Sequence, residues 1–323
     1  MDILDLVSKI VWYIPSKKLR NYIRDLLILI IDNQNKILHN QNVILHNQSK
    51  FNYILYSIKN SKNFNINYLS SIKREIVEKK DNIKNNKCIY TCLTGDYDNL
   101  FIHTYIDNNW DYICFTDNED FIKLGKYGNW LIKPLLFNEL DNTRNARWHK
   151  THPHIIISDY DYSIYLDSNI DIKTNYIFNR VIELLNNNIS ISIPNHFIRD
   201  CIYDEANEVI KNNIDDPIIV NSQINLYIKD NYPKHYGMTE TLIVFRKHND
   251  KEIIKLMEDW WYWIKNYSKR DQLSLHYVLF KNNYTFPFLT EHPVRLDSIN
   301  FDFFKHKVGI LSIDELIIKN HYL

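Results

Sequence analysis

The sequence contains little cysteine and little glycine, and each shortage excludes a class of protein. Its 323 residues include four cysteines, which are too few and too scattered for a disulfide framework or a zinc site: Cys88, Cys92, Cys114 and Cys201. We therefore expect four reduced thiols in a cytoplasmic protein. With five glycines, the chain has no glycine-rich phosphate loop of the P-loop or dinucleotide-binding type.

The sequence also lacks net charge and long apolar runs. Lys+Arg and Asp+Glu number 39 each, so no overall field attracts nucleic acid or anionic lipid, and we expect no nucleic-acid partner. The longest apolar run, residues 26–31, is far shorter than the roughly 18 residues of a membrane-spanning helix. Neither G-x-S-x-G nor H-E-x-x-H occurs, so no serine nucleophile or zinc-protease site of those types is indicated.

Residues 1–29 are predicted to form an amphipathic helical segment, in which aromatic and basic side chains are adjacent. Trp12 and Tyr13 precede a basic cluster within residues 17–24. This pattern is typical of a helix that lies in a membrane interface, and it fits equally well a helix packed on the protein's own surface. The first interpretation predicts peripheral contact with the inner face of a membrane.

Residues 30–86 begin with a heptad pattern and end in a polar linker. The string ILHNQ occurs at residues 37–41 and again at residues 44–48, which sets a repeat of seven. One seam position holds Ile30, Ile37, Ile44, Phe51 and Ile58, and the position three residues later holds Asn33, Asn40, Asn47 and Ile54. This spacing predicts a homo-oligomeric coiled coil through residues 30–58. An exposed helix or a low-complexity spacer is the alternative.

Residues 87–323 are predicted to form one α/β domain. Short apolar runs typical of buried strands alternate with helical patterns between residues 87 and 195. We expect strands at residues 88–93, 111–115, 130–132, 162–166, 190–194 and 239–245, and helices at residues 142–152, 173–186, 251–267 and 268–280. The alternation predicts a mainly parallel central sheet flanked by helices.

Polar turns follow three of the predicted strands. The first strand is followed by Thr94, Gly95, Asp96, Tyr97 and Asp98, the second by Thr116 and Asp117, and the fourth by Asp167, Ser168 and Asn169. Because strand ends in such a sheet gather at one edge, these turns predict a nucleotide pocket. Oxygens of Asp167 and Asn169 project the same way and suit Mg²⁺ or Mn²⁺. The alternative is an Asx-rich turn that only ends the strand.

The predicted helix at residues 142–152 has a basic face. Arg144, Arg147 and Lys150 recur at i, i+3 and i+6, and no acidic residue occupies the matching positions. This arrangement favours a phosphate-binding face over the alternative, a solvated basic face. With the polar turns, it predicts a site for a nucleoside diphosphate held through a divalent cation.

Seven motifs, in this order, resemble one known family. They are YTCLTGDYD at residues 90–98, DYICFTDN at 111–118, NTRNARWHKTHPH at 142–154, YSIYLDSNIDI at 162–172, HFIRDCIYDEA at 196–206, TETLIVFRKHN at 239–249 and SKRDQLSL at 268–275. Together they are similar to the glycosyltransferase-like domain shared by plant turgor-regulation and mucilage-related proteins and bacterial surface-polysaccharide glycosyltransferases. The resemblance covers residues 87–284.

The resemblance implies a GT-A type fold that transfers sugar from a nucleotide-sugar donor to a glycan, lipid-linked or protein acceptor in surface glycan synthesis. It places Asp167 and Asn169 at the metal turn, residues 94–98 along the nucleoside, and the basic helix face near the diphosphate. Many such enzymes have a second Asp where this chain has Asn169, and one fewer negative charge weakens cation binding. The alternative function is a non-catalytic, oligomeric glycan- or nucleotide-binding module of a surface-polysaccharide assembly.

Three acidic residues are candidates for the catalytic carboxylate, in the order Asp271, Glu240 and Glu205. The resemblance implies an acid near Asp271 that faces the sugar, and the adjacent arginine would keep it ionised. A cap that only stabilises the start of a helix is the alternative role. The candidates for substrate binding are His196, Arg199, Arg270 and Gln272, and His306 is a further candidate metal ligand.

Overall fold

The structure is a computed structural model that describes residues 74–79, 84–304 and 306. The amphipathic segment of residues 1–29 and the heptads of residues 30–58 lie outside these residues. The membrane contact and the homo-oligomer therefore stay predictions. Within the described ranges, no helix has both the length and the hydropathy needed to cross a membrane.

Eleven described strands form one large sheet and two small ones. They are β1 (Glu75–Val77), β2 (Lys87–Leu93), β3 (Tyr105–Asp107), β4 (Asp111–Thr116), β5 (Lys126–Tyr127), β6 (Trp130–Pro134), β7 (Tyr162–Leu166), β8 (Ile170–Ile172), β9 (Ile191–Ser192), β10 (Ile243–Arg246) and β11 (Phe301–Phe303). The large sheet has the order β5-β6-β4-β2-β7-β10-β9. Its four strands β6, β4, β2 and β7 run parallel, while β5, β9 and β10 pair antiparallel with their neighbours. The predicted mixed α/β class with a mostly parallel central sheet is confirmed.

Eight described α-helices surround the sheets. They are α1 (Glu119–Leu124), α2 (Asn142–Thr151), α3 (Pro153–Ile156), α4 (Tyr176–Asn186), α5 (Ile202–Lys211), α6 (Pro217–Lys229), α7 (Lys251–Asn266) and α8 (Leu275–Lys281). Helix α2 begins where the sequence predicts, because the Asp141 side chain accepts a hydrogen bond from the backbone N–H of Arg144. It ends just before Pro153, which cannot continue the helical hydrogen bonding.

Alternating side chains of the large sheet are buried on both of its faces. Ile89 packs in one core with residues of α4, whereas Tyr90 packs in the other core with residues of α7. Successive strand residues point to opposite faces, so β2 is apolar at almost every position rather than at every second one. Because both faces of the central strands are buried, the side chains available to form a site lie at the ends of these strands.

The strand order brings the predicted polar turns to one edge of the sheet. Because β2 lies between β4 and β7, the three turns after them are neighbours at the carboxyl edge. Strand β10 is antiparallel to β7, with Ile243 opposite Leu166, so its entry lies at this same edge. Residues 239–242 therefore reach the site from the opposite chain direction, which the alternation of elements alone does not predict.

Two segments differ from the predicted secondary structure near this edge. The predicted helix at residues 268–280 divides into a 3₁₀ turn, Asp271–Leu273, followed by α8, because Ser274 does not continue the α-helical geometry. The C-terminal strand β11 pairs with β8, which follows directly on the turn at residues 167–169. That pairing places β11 beside this turn and explains how His306 reaches the site.

Candidate functional site

The first two polar turns are joined by hydrogen bonds. The backbone N–H of Gly95 donates to the Asp117 carboxylate, at 2.9 Å from Oδ2 and 3.1 Å from Oδ1. The Asn118 amide donates to Asp96 Oδ1 at 3.0 Å. The Thr116 hydroxyl accepts from the backbone of its own turn, 3.1 Å from the N of Asn118. The structure therefore brings together the turns that the sequence assigns to the nucleotide.

Gly95 is required at its position for both conformation and space. Its φ of +62° lies in the left-handed region, and a Cβ added there would stand 1.9 Å from Nδ2 of Asn142. The preceding residue, Thr94, donates its hydroxyl to the backbone carbonyl of Asn142 at 2.8 Å. The turn after β2 is thus packed directly against the first residue of α2.

The third turn and the C-terminal segment meet around Asp98. His306 Nδ1 lies 2.9 Å from Asp98 Oδ1, and the Ser168 hydroxyl is 3.4 Å from Oδ2 of the same carboxylate. The Asn169 amide donates to the backbone carbonyl of Phe304 at 3.0 Å and lies 3.4 Å from His306 Nε2. Of the predicted metal ligands, Asn169 and His306 are therefore neighbours, and Asp98 joins them.

This group can supply only part of a cation's coordination shell. Carboxylate and amide oxygens with one imidazole fit Mg²⁺ or Mn²⁺ chemically, with phosphate oxygens of a donor as remaining ligands. Among the described residues, however, the group that brings three potential ligand atoms within 4.8 Å of one another is Cys201, Asp204 and His235. It contains none of the residues predicted to bind the cation, so Asp167 is not part of a preformed three-ligand cluster.

A buried cluster of ion pairs surrounds Asp271, close to the turns. Lys150 Nζ donates to Asp271 Oδ2 at 2.7 Å, the Thr241 hydroxyl donates to the same oxygen at 2.8 Å, and Arg147 Nε lies 3.3 Å from it. Burial alone would raise the pKa of Asp271, but the cations Arg147, Lys150 and Arg270 outweigh it and hold the pKa below its usual value. Asp271 is therefore ionised and already saturated with donors on one oxygen.

The basic face of α2 has acidic partners that the sequence pattern does not reveal. Lys150 is fully buried, and its ammonium lies 4.8 Å from the centroid of the Tyr165 ring. Asp271 pairs with both Lys150 and Arg147, and it lies 121 positions after Lys150 in the chain. Two cations of this face therefore already pair with a carboxylate from outside the helix, while the role of the face in binding phosphate stays a prediction.

Arg144 points away from the other two cations. Its guanidinium donates to the backbone carbonyls of Ile264 at 3.0 Å and Tyr267 at 2.7 Å, and to the Asp141 carboxylate at 2.7 Å. The two carbonyls belong to the C-terminal end of α7, where free carbonyls favour a cation. The structure thus does not bring Arg144 together with the polar turns, and we leave it out of the proposed donor site.

We expect Arg144→Ala to destabilise the protein by roughly 1.5–3 kcal/mol, because three hydrogen bonds of a charged group are lost. Urea unfolding of the variant measures this effect. The affinity for a nucleoside diphosphate should stay unchanged, whereas Arg147→Ala should weaken it. Normal stability with weakened diphosphate binding in the Arg144 variant would instead support the phosphate-binding face.

A second buried carboxylate, Glu205, is bound by two arginines. Arg199 Nε donates to Glu205 Oε2 at 2.6 Å, and Arg270 Nε donates to Oε1 at 3.1 Å. His196 Nε2 lies 4.0 Å from Oε2. The predicted substrate-binding residues His196, Arg199 and Arg270 are therefore brought together, and Glu205 neutralises part of their charge.

The third carboxylate, Glu240, differs from the others because one of its two oxygens has no partner among the described residues. Arg295 Nε donates to Oε1 at 3.0 Å, while the buried Oε2 has no hydrogen-bond partner in the described part of the chain. Burial raises the pKa of Glu240 to about 7, although Arg295 and Arg270 act to lower it. A carboxylate with a pKa near neutrality and one available oxygen is able to accept a proton from a bound ligand.

The comparisons with known proteins decide the family of the chain. A family model of the TOD1/MUCI70 glycosyltransferase-like domain matches residues 74–292. The chain belongs to the TOD1/MUCI70 family. The match contains all seven motifs that carry the resemblance and confirms it. No curated protein matches the sequence.

Two solved structures similar to this TOD1/MUCI70 chain are glycosyltransferases. The WbbM bifunctional glycosyltransferase, in its apo form, is 8% identical with a TM-score of 0.37, and the match covers 64% of this chain and 39% of that chain. Mouse xyloside xylosyltransferase 1, also in its apo form, is 10% identical with a TM-score of 0.37, over 62% of this chain and 84% of that chain. The chain thus spans well under half of WbbM.

Three residues of the site in this TOD1/MUCI70 chain are not among the sequence predictions. Thr241 directly follows Glu240 in the turn before β10, so its place in the motif at residues 239–249 is its signal in the sequence. His276 belongs to α8, and among the described residues its buried Nε2 has no hydrogen-bond partner. Arg295 lies just beyond the matched residues, and its pairing with Glu240 across 55 positions leaves no local sequence signal.

Proposed function

We propose that this protein is a GT-A type glycosyltransferase that moves a sugar from a nucleotide-diphosphate sugar to a glycan, lipid-linked or protein acceptor in surface glycan synthesis. One observation carries the proposal. The turns after three adjacent parallel strands meet at one edge of the sheet, beside two buried carboxylates, Asp271 and Glu240. The pKa of Asp271 is lowered from its usual value, whereas that of Glu240 is raised to about 7. Membership of the TOD1/MUCI70 glycosyltransferase-like family supports it.

The donor nucleotide is assigned to the turn at residues 94–98. Tyr97 is 48% exposed there and its ring centroid lies 5.0 Å from that of the His306 imidazole, so we place the nucleobase beside this pair of rings. The pKa of Arg147, which burial alone would lower, is raised by Asp271 and also by Asp167 and Tyr97, so this cation of α2 lies close to two of the turns. We assign the donor diphosphate to Arg147 because an arginine binds phosphate oxygens through two donors.

A divalent cation, Mn²⁺ or Mg²⁺, would be held by Asp98, Asp167, Asn169 and His306, with the Ser168 hydroxyl beside them. When bound, the cation neutralises the charge that develops on the departing diphosphate. The contact between Asp98 and His306 keeps a carboxylate and an imidazole together at this place without the cation. The donor's phosphates would have to complete the shell, so cation and donor should bind cooperatively.

The two carboxylates are assigned different roles. Glu240 is placed against the reacting hydroxyl of the acceptor as the general base, because it alone has both an available oxygen and a pKa near neutrality. Asp271 holds Lys150 and orients Arg147, and so positions the group that binds the diphosphate. Glu205 is assigned to holding Arg199 and Arg270 in place.

Donor binding tests the proposal first. A panel of nucleotide-sugars, each with and without Mn²⁺, should raise the free energy of unfolding of the full-length protein, by about 2.7 kcal/mol at a hundred times Kd. Asp167→Asn should remove the part of this stabilisation that depends on Mn²⁺, while Asp159→Asn, an exposed acid of the segment before β7, should not.

Turnover then separates the enzyme from a binding module. Release of the free nucleotide, with appearance of a new glycosidic bond on an added acceptor, is the expected result. Stabilisation by a nucleotide-sugar without any release would support the non-catalytic binding module instead. Absence of stabilisation across the whole panel would contradict both functions.

A further inference from the structure

Three arginines surround the two buried glutamates of the site. Arg199 and Arg270 contact Glu205, and Arg295 contacts Glu240. The arginine side chains are 22–29% exposed, whereas both glutamate side chains are 1% exposed. The carboxylates therefore form the floor of this cluster, and the guanidinium groups lie between that floor and solvent.

The cluster carries a net positive charge. His196 lies among the arginines, and burial, together with the charges of all three arginines, lowers its pKa to about 3. His196 is consequently neutral at neutral pH, as is His276, whose pKa burial lowers to about 4. Among the described residues of the cluster, three guanidinium charges thus face two carboxylates, an excess of one positive charge before Glu240 takes up any proton.

Arg199 is held in place but keeps hydrogen-bond donors for a ligand. It reaches Glu205 through Nε at 2.6 Å, so its two terminal nitrogens are not used in that contact. A planar fork of this kind suits a carboxylate or phosphate group, which accepts two parallel hydrogen bonds. Arg270 and Arg295, each paired with a glutamate, add positive charge beside this fork.

Unpartnered buried atoms give an independent sign that a ligand binds here. Within the part of the chain that the structure describes, Glu240 Oε2 and His276 Nε2 have no hydrogen-bond partner, and both residues are more than nine-tenths buried. Leaving a buried polar atom without a partner is unfavourable and uncommon, and a ligand that supplies the partner would explain both atoms. Hydroxyl groups of a sugar can donate to Glu240 and exchange a hydrogen bond with His276.

We propose that the arginine cluster, Arg199, Arg270 and Arg295, binds an anionic group on the acceptor sugar, while Glu240 contacts a hydroxyl of the same sugar. The acceptor class is then a sugar that bears a carboxylate or a phosphate. The inference rests on the proposed function, since it places the acceptor in the site defined above. The same arginine chemistry could instead serve the donor diphosphate, and the experiment separates these two sources.

The test uses full-length protein saturated with UDP or GDP, whichever binds, so that the diphosphate site is already filled. Glucuronic acid, its methyl ester and glucose are then titrated, with ligand-observed NMR as the readout. We expect glucuronic acid to bind at least about tenfold more tightly than the other two, as a charge-assisted contact provides. Equal affinities of the three sugars in the wild-type protein would overturn the proposal without any variant being made.

A pair of variants locates the effect. Arg199→Gln should abolish the preference for glucuronic acid and leave the affinity for the nucleotide unchanged. Arg180→Gln is the matched control, because Arg180 also pairs with a glutamate, is 20% exposed and lies outside the cluster. It should keep the preference. If Arg199→Gln weakens nucleotide binding instead, the arginines serve the diphosphate and the proposal is overturned.

The outcomes also distinguish this inference from the proposed function. If no nucleotide-sugar of the panel binds but glucuronic acid is still preferred and Arg199→Gln removes the preference, the anion site stands and the transferase function is contradicted. If a nucleotide binds and no sugar preference exists, the transferase function stands and the anion site is wrong.

Discussion

Replacing Glu240 by glutamine is expected to lower the rate of sugar transfer by about a hundredfold to ten-thousandfold, the contribution typical of a general base. Glutamine keeps the shape and can still contact Arg295, but it cannot accept the proton of the acceptor hydroxyl. Affinity for the donor nucleotide should stay unchanged, since the residue lies on the acceptor side. Initial rates at saturating donor and a nucleotide titration measure the two quantities.

The pH dependence gives a second, independent reading of Glu240. The base must be ionised to act, so the wild-type kcat/KM should fall as the pH drops below about 7, the value to which burial raises its pKa. The free energy of unfolding depends on pH in the opposite sense. A carboxyl whose pKa is raised on folding stabilises the folded protein fully when the pH is below its ordinary pKa of 4.5. This contribution is lost as the pH rises through about 7, the pKa of Glu240 in the folded protein.

The control for this variant is Glu183→Gln, which removes another arginine-paired glutamate on an exposed helix surface. Its rate and its pH profile should match those of the wild-type protein. As the pH rises from 4.5 to 7, the wild-type protein should lose stability relative to Glu240→Gln but not relative to Glu183→Gln. A Glu240→Gln enzyme with a wild-type rate would contradict the assignment and return Asp271 to first place.

The sequence predicts the parts of this site that depend on local signals. The strands β2, β4 and β7 were recognisable because each is a short apolar run that stops at a polar turn. The N-terminus of α2 was recognisable because Asp141 is a capping residue at the correct distance. Each of these signals lies within about ten residues of chain, and each element folds as its own pattern indicates.

The parts that could not be predicted depend on long-range pairing. Whether β10 enters or leaves the site depends on its antiparallel contact with β7, and no residue of β10 specifies that direction by itself. The partners of the basic face are likewise distant, so Arg144 and Lys150 look alike in sequence although one binds helix carbonyls and the other a buried carboxylate. Spacing identifies which side chains share a face, but not what that face meets.

Removing the charge of Asp271 is expected to have the largest effect on stability. Asp271→Ala leaves Lys150 fully buried without its anion, and breaking a buried pair from one side costs about 3–5 kcal/mol. Asp271→Asn keeps the volume and a partner for Thr241, so it should cost less, although the charge of Lys150 still lacks compensation. Urea unfolding of the two variants ranks these costs.

The double variant Asp271→Asn with Lys150→Met isolates the pair itself. Methionine fills the space beside the Tyr165 ring without a charge, so the double variant should be more stable than Asp271→Asn alone.

Arg147, which is one-fifth exposed, can turn toward solvent and needs no such compensation. If Asp271 positions Arg147, Asp271→Asn should mainly raise the KM for the donor, whereas a catalytic carboxylate would lower kcat with donor binding retained. Simple additivity of the two substitutions would show that the buried pair is not coupled, and would contradict the ion pair as the reason for the effect of Asp271.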